Sequence, residues 1–336
     1  MLDLNDKTIL ITGGTGSFGQ KFVEMVCQRF KPRRLIIFSR DELKQYEMAS
    51  RFPKSSFPFI RYFIGDVRDK DRLYRALDGV DVLIHAAALK QVDTCEYNPF
   101  EAIKTNINGS ANVIDAALDC NVETVVNLST DKAANPVNLY GATKLCADKL
   151  FIAANNYSGT RQTRFSVVRY GNVVASRGSV VPLFLRQRET GVLTITDAGM
   201  TRFWITLEQA VDFVLSSMSI MRGGEIFVPK IPSVKITDLA EAIAPECKIE
   251  SIGIRPGEKL HEVMVSKDDA RYAIELDDRF IIYPTSIDVD KERNLLASRL
   301  GGDCCKAGFG YSSDSNTDWL NVDMLRTMID KMSFDA

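Results

Sequence analysis

Histidine is scarce in this chain of 336 residues: there are two, His85 and His261. A mechanism centred on a metal ion or on a Ser-His-Asp triad therefore has little to draw on. The seven cysteines (27, 95, 120, 146, 247, 304 and 305) are odd in number and lack zinc-type spacing. Only Cys304 and Cys305 are close, and adjacent cysteines make neither a usual metal pair nor a comfortable disulfide. Free thiols in a reducing cytoplasm are expected, and with them a cytoplasmic protein. No apolar run approaches the ~20 residues that cross a bilayer. The start, Met1-Leu2-Asp3-Leu4-Asn5-Asp6, lacks the basic and apolar regions of a secretory signal. A net charge of −2 gives no electrostatic reason to expect a nucleic-acid or membrane partner. There is no internal repeat and no low-complexity tract. What remains is ordinary for a globular protein, with 45% hydrophobic and 26% charged residues.

Short apolar runs, many of them β-branched, alternate with helical patterns through the first half. Residues 8–11, 34–38, 59–64, 81–85, 124–128 and 165–170 read as strands. Phe22, Val23, Val26 and Cys27 follow the first run at helical spacing, and longer helices are expected over 99–120 and 139–155. Such alternation means an α/β fold: a Rossmann-like doubly wound parallel sheet with a smaller C-terminal substrate-binding domain. The expected division is 1–171 for dinucleotide binding, with about 205–228 returning to it, and 172–336 mainly for substrate. After Tyr170 the pattern loosens, with Gly, Pro and Arg frequent at 176–182, 199–203 and 254–259. The stretch 301–316 is rich in Gly, Ser, Asp and Asn and is expected to be an ordered loop or surface segment.

The first run leads into Gly13-Gly14-Thr15-Gly16-Ser17-Phe18-Gly19. A glycine-rich turn between strand and helix lets the backbone approach a pyrophosphate, which then sits at the helix N-terminus. Gly13, Thr15, Gly16, Ser17, Phe18 and Gly19 are thus candidate cofactor contacts. Their spacing, Gly13-x-x-Gly16-x-x-Gly19, differs from the G-x-G-x-x-G of many dehydrogenases. About 20 residues on, an acid would hold the ribose 2′-hydroxyl of NAD. This chain has Ser39 and Arg40 there, with Lys44 a turn later. A hydroxyl and two cations suit a 2′-phosphate, so NADP is the expected cofactor. The alternative is that Arg40 and Lys44 are solvated charges at a helix start. Asp66 and Val67, after the third strand, would edge the adenine.

The most informative stretch is Thr130-Asp131-Lys132, just past the 124–128 strand, with Tyr140 and Lys144 behind it. Open parallel sheets bind ligands at the carboxyl ends of their strands. Tyr-x-x-x-Lys puts two side chains on one helix face. There the Lys144 ammonium would lower the pKa of the Tyr140 phenol and make it a usable base. Asp131 and Lys132 add an acid and a base that alcohol oxidation alone would not need. A structural ion pair is their alternative reading.

The glycine loop, Asp66, the His85-Ala86-Ala87-Ala88 strand end, Asn106 and Tyr140-x-x-x-Lys144 resemble the extended short-chain dehydrogenase/reductase family, over essentially the whole chain. Within it, Ser129-Thr130-Asp131-Lys132-Ala133 with Asn135-Pro136 resembles the branch acting on UDP-N-acetylglucosamine. Membrane-anchored or C5-retaining relatives in that branch mostly carry Met at the position of Tyr140. Tyr140 and Phe309-Gly310-Tyr311-Ser312-Ser313-Asp314 are instead similar to the inverting 4,6-dehydratases that begin pseudaminic acid synthesis for flagellin glycosylation. The resemblance implies Ala86, Ala87, Ala88 and Asn106 at the cofactor and Asn172 at the sugar diphosphate. It also implies nucleotide contacts from Thr201-Arg202 and from 254–259. Arg202 and Arg255 suit a diphosphate because guanidinium is a bidentate fork, and Glu258 could accept from a ribose hydroxyl. Lys90 either meets substrate or is a surface lysine. A homo-oligomer is implied too, with a hexamer among its forms. Hexose 4,6-dehydratases of the dTDP-glucose type have Asp-Glu where this chain has Asp131-Lys132, so their base does not carry over unchanged.

The expected reaction is that of a hydro-lyase. Tyr140, as phenolate, takes the proton of the sugar C4 hydroxyl, which Thr130 also bonds, while the C4 hydride passes to NADP⁺. Neutral Lys132 removes the C5 proton made acidic by the 4-ketone, and protonated Asp131 donates to the departing C6 hydroxyl. The hydride returns to C6, so the net change is loss of water. Two other readings stay open. A nucleotide-sugar epimerase or reductase would use Tyr140 and Lys144 but leave Asp131 and Lys132 without a task. A non-catalytic NADP-binding regulator would leave the intact Tyr-x-x-x-Lys set unexplained. His85 is read as a packed strand-end residue and Cys146 as core.

Overall fold

The computed structural model describes residues 3–174, 179–284 and 289–331. Residues 176–178, part of the loosened stretch at 176–182, lie outside them. Six strands build the first half: β1 (Thr8–Thr12), β2 (Arg34–Ser39), β3 (Ile60–Ile64), β4 (Val82–His85), β5 (Thr124–Thr130) and β6 (Arg164–Tyr170). They are parallel, in the order β3-β2-β1-β4-β5-β6. All of β1 is buried, and β2 is buried from Leu35 onward. Near-continuous apolar runs of this kind mark a sheet covered on both faces. The connecting helices include α1 (Ser17–Arg29), α2 (Glu42–Arg51), α3 (Lys70–Leu77), α4 (Val92–Tyr97), α5 (Pro99–Ile103), α6 (Gly109–Asp119) and α7 (Leu139–Ala154). The chain runs outward from β1 to β3 and then crosses to β4 on the other side. That switch point opens a crevice at the carboxyl ends of the strands.

The helix expected over 99–120 is interrupted. A π-turn at Lys104–Asn108 separates α5 from α6. Its Asn106 gives its side chain to a neighbouring loop, bonding the Leu89 carbonyl at 2.9 Å and the Leu89 N–H at 2.8 Å. Single π-turns inside helices are frequent at functional sites.

Beyond β6 come β7 (Asn172–Val173), α8 (Val180–Arg188), β8 (Val192–Ile195), β9 (Thr201–Ile205), α9 (Leu207–Met218) and β10 (Ile226–Pro229). Then follow β11 (Ser233–Lys235), β12 (Lys248–Ser251), β13 (Val263–Val265), β14 (Ala273–Glu275), β15 (Arg279–Ile282), β16 (Asp303–Cys304) and β17 (Tyr311–Ser312). β10 adds to β6 in parallel, and β15, β14 and β16 continue the sheet antiparallel. α9, started by a Thr206/Gln209 capping box, packs against α1. α8, β8, β9 and β11, with helices at Ile236–Ile243 and Val322–Asp330, contribute to a second core that includes Phe184, Leu193, Trp204, Leu239 and Leu325. The 301–316 stretch is more than surface. Its β17 pairs with β13, and Tyr311 and Ser313 are buried. Among the described residues no helix is long and apolar enough to cross a membrane.

Candidate active site

The carboxyl ends of the central strands border a cleft of about 750 Å³. At its floor the glycine loop lies against the strand end after β4. Gly13 has φ +65°, and a Cβ there would stand 2.9 Å from the Ala87 backbone, so the turn takes no other residue without displacement. α1 begins at Ser17 with Gly16 as its N-cap, which offers no side-chain cap. Backbone N–H groups in such a first turn are suited to an anion. At the end of β2, Ser39 Oγ accepts from Gln45 Nε2 at 3.1 Å. Arg40 lies 3.5 Å and Arg68 2.7 Å from Asp66 Oδ2, and Lys44 is 2.9 Å from Asp41. Partial burial works to raise the Asp66 pKa, but Arg68, with help from Arg40, brings it below the ordinary value. Arg40 and Lys44 border the cleft with their side chains partly exposed, each beside a carboxylate.

Of the expected cofactor residues, Asn106 is the one that does not line the cleft. It is 1% exposed, and its amide is spent on Leu89 and on Thr143 Oγ1 at 3.0 Å. Asn106 is a clamp between the strand-end loop and α7, which corrects its expected place at the cofactor.

The strand end of β5 and the start of α7 bring Thr130, Asp131, Lys132 and Tyr140 together. Asp131 is 1% exposed. Its Oδ1 accepts from Thr130 Oγ1 at 2.9 Å and from Lys132 Nζ at 3.1 Å, while Oδ2 is buried without a partner. α7 starts from Asn138, whose Oδ1 caps Gly141 N–H at 2.7 Å and whose amide reaches the Gly257 carbonyl at 2.7 Å. Lys144, a turn into α7, is buried, with its Nζ 3.4 Å from Asn127 Oδ1. Burial lowers its pKa, opposed by the Asp148 charge. Asp148 in turn is held by Ser129 Oγ at 2.7 Å and Asn127 Nδ2 at 3.1 Å.

Two electrostatic expectations change. Burial raises the Tyr140 phenol to about 12, and the cation that opposes the rise is Lys132, not Lys144. Without ligand Tyr140 is a phenol. Burial would also lower Lys132, but the carboxylates of Asp131 and Glu262 outweigh it and push its pKa above the ordinary lysine value. Lys132 is therefore an ammonium here, not the neutral amine expected.

Towards the C-terminal half, the Asn172 side chain lines the cleft with its Oδ1 buried and unpartnered. Arg202 bonds the carbonyls of Thr201 at 2.7 Å and Leu260 at 3.0 Å and pairs with Glu258 at 3.4 Å. Arg255 and Lys90 line the cleft and are exposed. Desolvation and the Lys132 charge both lower the Lys90 pKa. His85 is packed, with Nδ1 2.8 Å from Thr12 Oγ1. Burial, with the Lys144 charge, lowers its pKa to about 3. Cys146 is exposed, so it is not core: the buried face of α7 runs through Thr143, Lys144, Ala147, Asp148 and Phe151.

Residues 9–284 match the polysaccharide biosynthesis protein family. The chain belongs to this family. It is 56% identical, over 97% of its length and 98% of the relative's, to a protein of Campylobacter jejuni named UDP-N-acetylglucosamine 4,6-dehydratase (inverting). A Rickettsia canadensis relative named UDP-glucose 4-epimerase is 46% identical over 82% of this chain and 83% of its own. Among solved structures, Pen from Bacillus thuringiensis superposes with a TM-score of 0.87 at 40% identity, covering 98% of each chain.

One member of the site is not marked by any motif in the sequence. Glu262, at the entrance to β13, is 2% exposed and lies 3.1 Å from Lys132 Nζ. The sequence signal is slight: an acid at the end of Glu258-Lys259-Leu260-His261-Glu262, in a charged segment that continues the 254–259 stretch. Nothing local says that it meets Lys132.

Proposed function

We propose that the chain is an inverting UDP-N-acetylglucosamine 4,6-dehydratase, working with a nicotinamide dinucleotide and favouring NADP over NAD. The observation that carries the reading is the Asp131–Lys132 contact of 3.1 Å beside Tyr140. Dehydration needs an acid and a base beyond the redox pair, and this cluster has both. The 56% identity to the Campylobacter jejuni relative supports the same reading. The glycine loop and the start of α1 fit a pyrophosphate, and Arg40 with Lys44 fits a 2′-phosphate.

When bound, the oxidised nicotinamide supplies reversible hydride acceptance and a positive ring. Tyr140 and Thr130 hold the sugar C4 hydroxyl, and Tyr140 takes its proton. Lys132 takes the C5 proton, and Asp131 protonates the departing C6 hydroxyl. Tyr140 and Lys132 must each first give up the proton they carry without ligand. Asn172, Arg202, Arg255 and Glu258 would hold the UDP moiety, with Lys90 at the sugar. In this proposal residues 1–171 and about 205–228 serve the cofactor and 172–336 mainly the substrate. The protein would act in the cytoplasm as a homo-oligomer, at the first step of pseudaminic acid synthesis for flagellin glycosylation.

Incubation of the purified protein with UDP-N-acetylglucosamine, followed by mass spectrometry, tests the reading. Loss of one water is expected. A C4 epimer of unchanged mass would favour the epimerase reading, which the 46% identity to the Rickettsia canadensis relative keeps in view.

A further inference from the structure

A carboxylate that is 2% exposed is unusual unless something holds its charge. Glu262 has two cations near it: Lys132 Nζ at 3.1 Å from Oε1 and Lys259 Nζ at 3.9 Å from Oε2. Its Oε2 nonetheless has no hydrogen-bond partner. The backbone is fixed from the far end of the chain. Glu262 N–H donates to Ser313 Oγ at 2.9 Å, and Ser313 N–H donates to the Glu262 carbonyl at 2.8 Å. Ser313 belongs to the 309–314 motif, for which the reaction otherwise has no use. Its hydroxyl is itself held by Thr201 Oγ1 at 2.7 Å. Glu262 is therefore aimed at Lys132 by a rigid, buried frame.

We infer that Glu262 is a positioning residue for the dehydration step, holding the Lys132 amine opposite Asp131 and taking up its proton when that amine must act as a base. The inference rests on the proposed dehydratase reading. With substrate bound, the step starts from protonated Asp131, the Lys132 ammonium and the Glu262 carboxylate. One N–H bond of Lys132 breaks and an O–H bond forms at Glu262 Oε1, leaving a neutral amine and a neutral acid. The amine then takes the C5 proton while Asp131 gives its proton to the departing hydroxyl as water. Glu262 then returns its proton to the Asp131 carboxylate, which restores the starting state of the cluster. Once the hydride has reached C6, C5 takes a proton from solvent, and Tyr140 releases to solvent the proton it took from the C4 hydroxyl. No oxidant or co-reactant enters these steps.

The groups that act on Glu262 are Asp131, Lys132, Arg202 and Lys259. Burial raises its pKa, the Asp131 charge adds to the rise, and the three cations oppose it. A carboxylate placed in this way accepts a proton more readily than a solvated one.

The test uses the full chain, unmutated and as Glu262→Gln and Glu262→Asp. Glu262→Gln keeps an acceptor for Lys132 but can neither carry charge nor take the proton. Its kcat for water loss should fall roughly 10- to 100-fold near neutral pH with KM and NADP binding little changed, the size of a lost general acid/base partner. The limb of the pH profile that follows Lys132 deprotonation should move to lower pH, because one of two anions holding the ammonium is gone. Glu262→Asp should recover part of the rate. A lowered kcat with an unmoved limb, or an unchanged kcat, would make Glu262 merely structural and overturn the inference. NMR titration of ¹³C-methylated lysines reads Lys132 without turnover and separates this from failure of the dehydratase reading. The Lys132 signal should titrate at lower pH in Glu262→Gln, or in Glu262→Asp if the first variant does not fold. An unmoved signal would sink the inference even if the unmutated protein released no water.

Discussion

Gly141 packs so tightly on Lys132 that a Cβ at position 141 would come within 2.2 Å of the Lys132 carbonyl oxygen. The start of α7, which carries Tyr140, is thereby seated on the turn that carries Asp131 and Lys132. This backbone contact is one of those that join the redox and dehydration groups. Gly141→Ala should force them apart. We expect a stability loss of about 1–3 kcal/mol from overpacking and a much larger proportional loss of activity, read by thermal denaturation and by water release on the same samples. Wild-type turnover in a folded Gly141→Ala protein would show that the contact does not govern the site.

Lys132→Met should stop dehydration and leave NADP binding intact, since Lys132 is assigned to C5 and not to the cofactor. It also strips two buried carboxylates, Asp131 and Glu262, of their shared cation. Breaking a buried pair costs ~3–5 kcal/mol. Removing an ammonium that lowers the Glu262 pKa lets that pKa rise further. A group whose folded pKa is raised stabilises the fold below its unfolded value of ~4.3 and loses that contribution as pH rises through the folded value. The Tm deficit of Lys132→Met should therefore widen from pH 5 to pH 8. A pH-independent deficit would argue against a buried carboxylate pair.

Arg40→Asp should invert the cofactor preference. Arg40 directly follows β2 and lies 3.5 Å from Asp66. A charge-assisted hydrogen bond is worth ~1.5–3 kcal/mol, so NADP binding should weaken about 10- to 100-fold while NAD binding improves. Calorimetric titration of both cofactors checks this. Equal binding of NAD and NADP by the unmutated protein would end the NADP assignment.

Isotopes test the order of events. The C4 hydrogen should reappear at C6 of the same product molecule, and C5 should take its hydrogen from solvent. Product formed in deuterated water should carry deuterium at C5, with inverted configuration there and none initially at C6. Crossover of a C4 label between mixed substrate pools, or retention at C5, would remove the inverting assignment.

The six parallel strands were legible because residues such as Ile9, Leu10 and Ile11, or Val125 and Val126, are buried on both faces and need no polar alternation. The π-turn at Lys104–Asn108 was not, since the reason for it is a side-chain bond from Asn106 to a loop distant in sequence. The site divides along the same line. Thr130, Asp131, Lys132, Tyr140 and Lys144 lie within one strand–turn–helix unit, where spacing alone sets neighbours. Glu262 reaches them only through tertiary folding, so no local pattern marks it. The sequence also misassigned the cation acting on Tyr140, because helical spacing points to Lys144 while burial and the turn place Lys132 in that role.

The pairing of β13 with β17 bears on how the protein is born. Domains generally begin to fold from the N-terminus during synthesis. The nucleotide-binding strands can assemble while the ribosome is still working on the last part of the chain. β13, which follows Glu262, has no partner strand until Tyr311 and Ser312 emerge, and Glu262 has no hydroxyl to hold it until Ser313 follows. A nascent chain can thus clasp its dinucleotide before its dehydration groups are in register, and the later-made 311–313 segment sets the acid–base cluster in place.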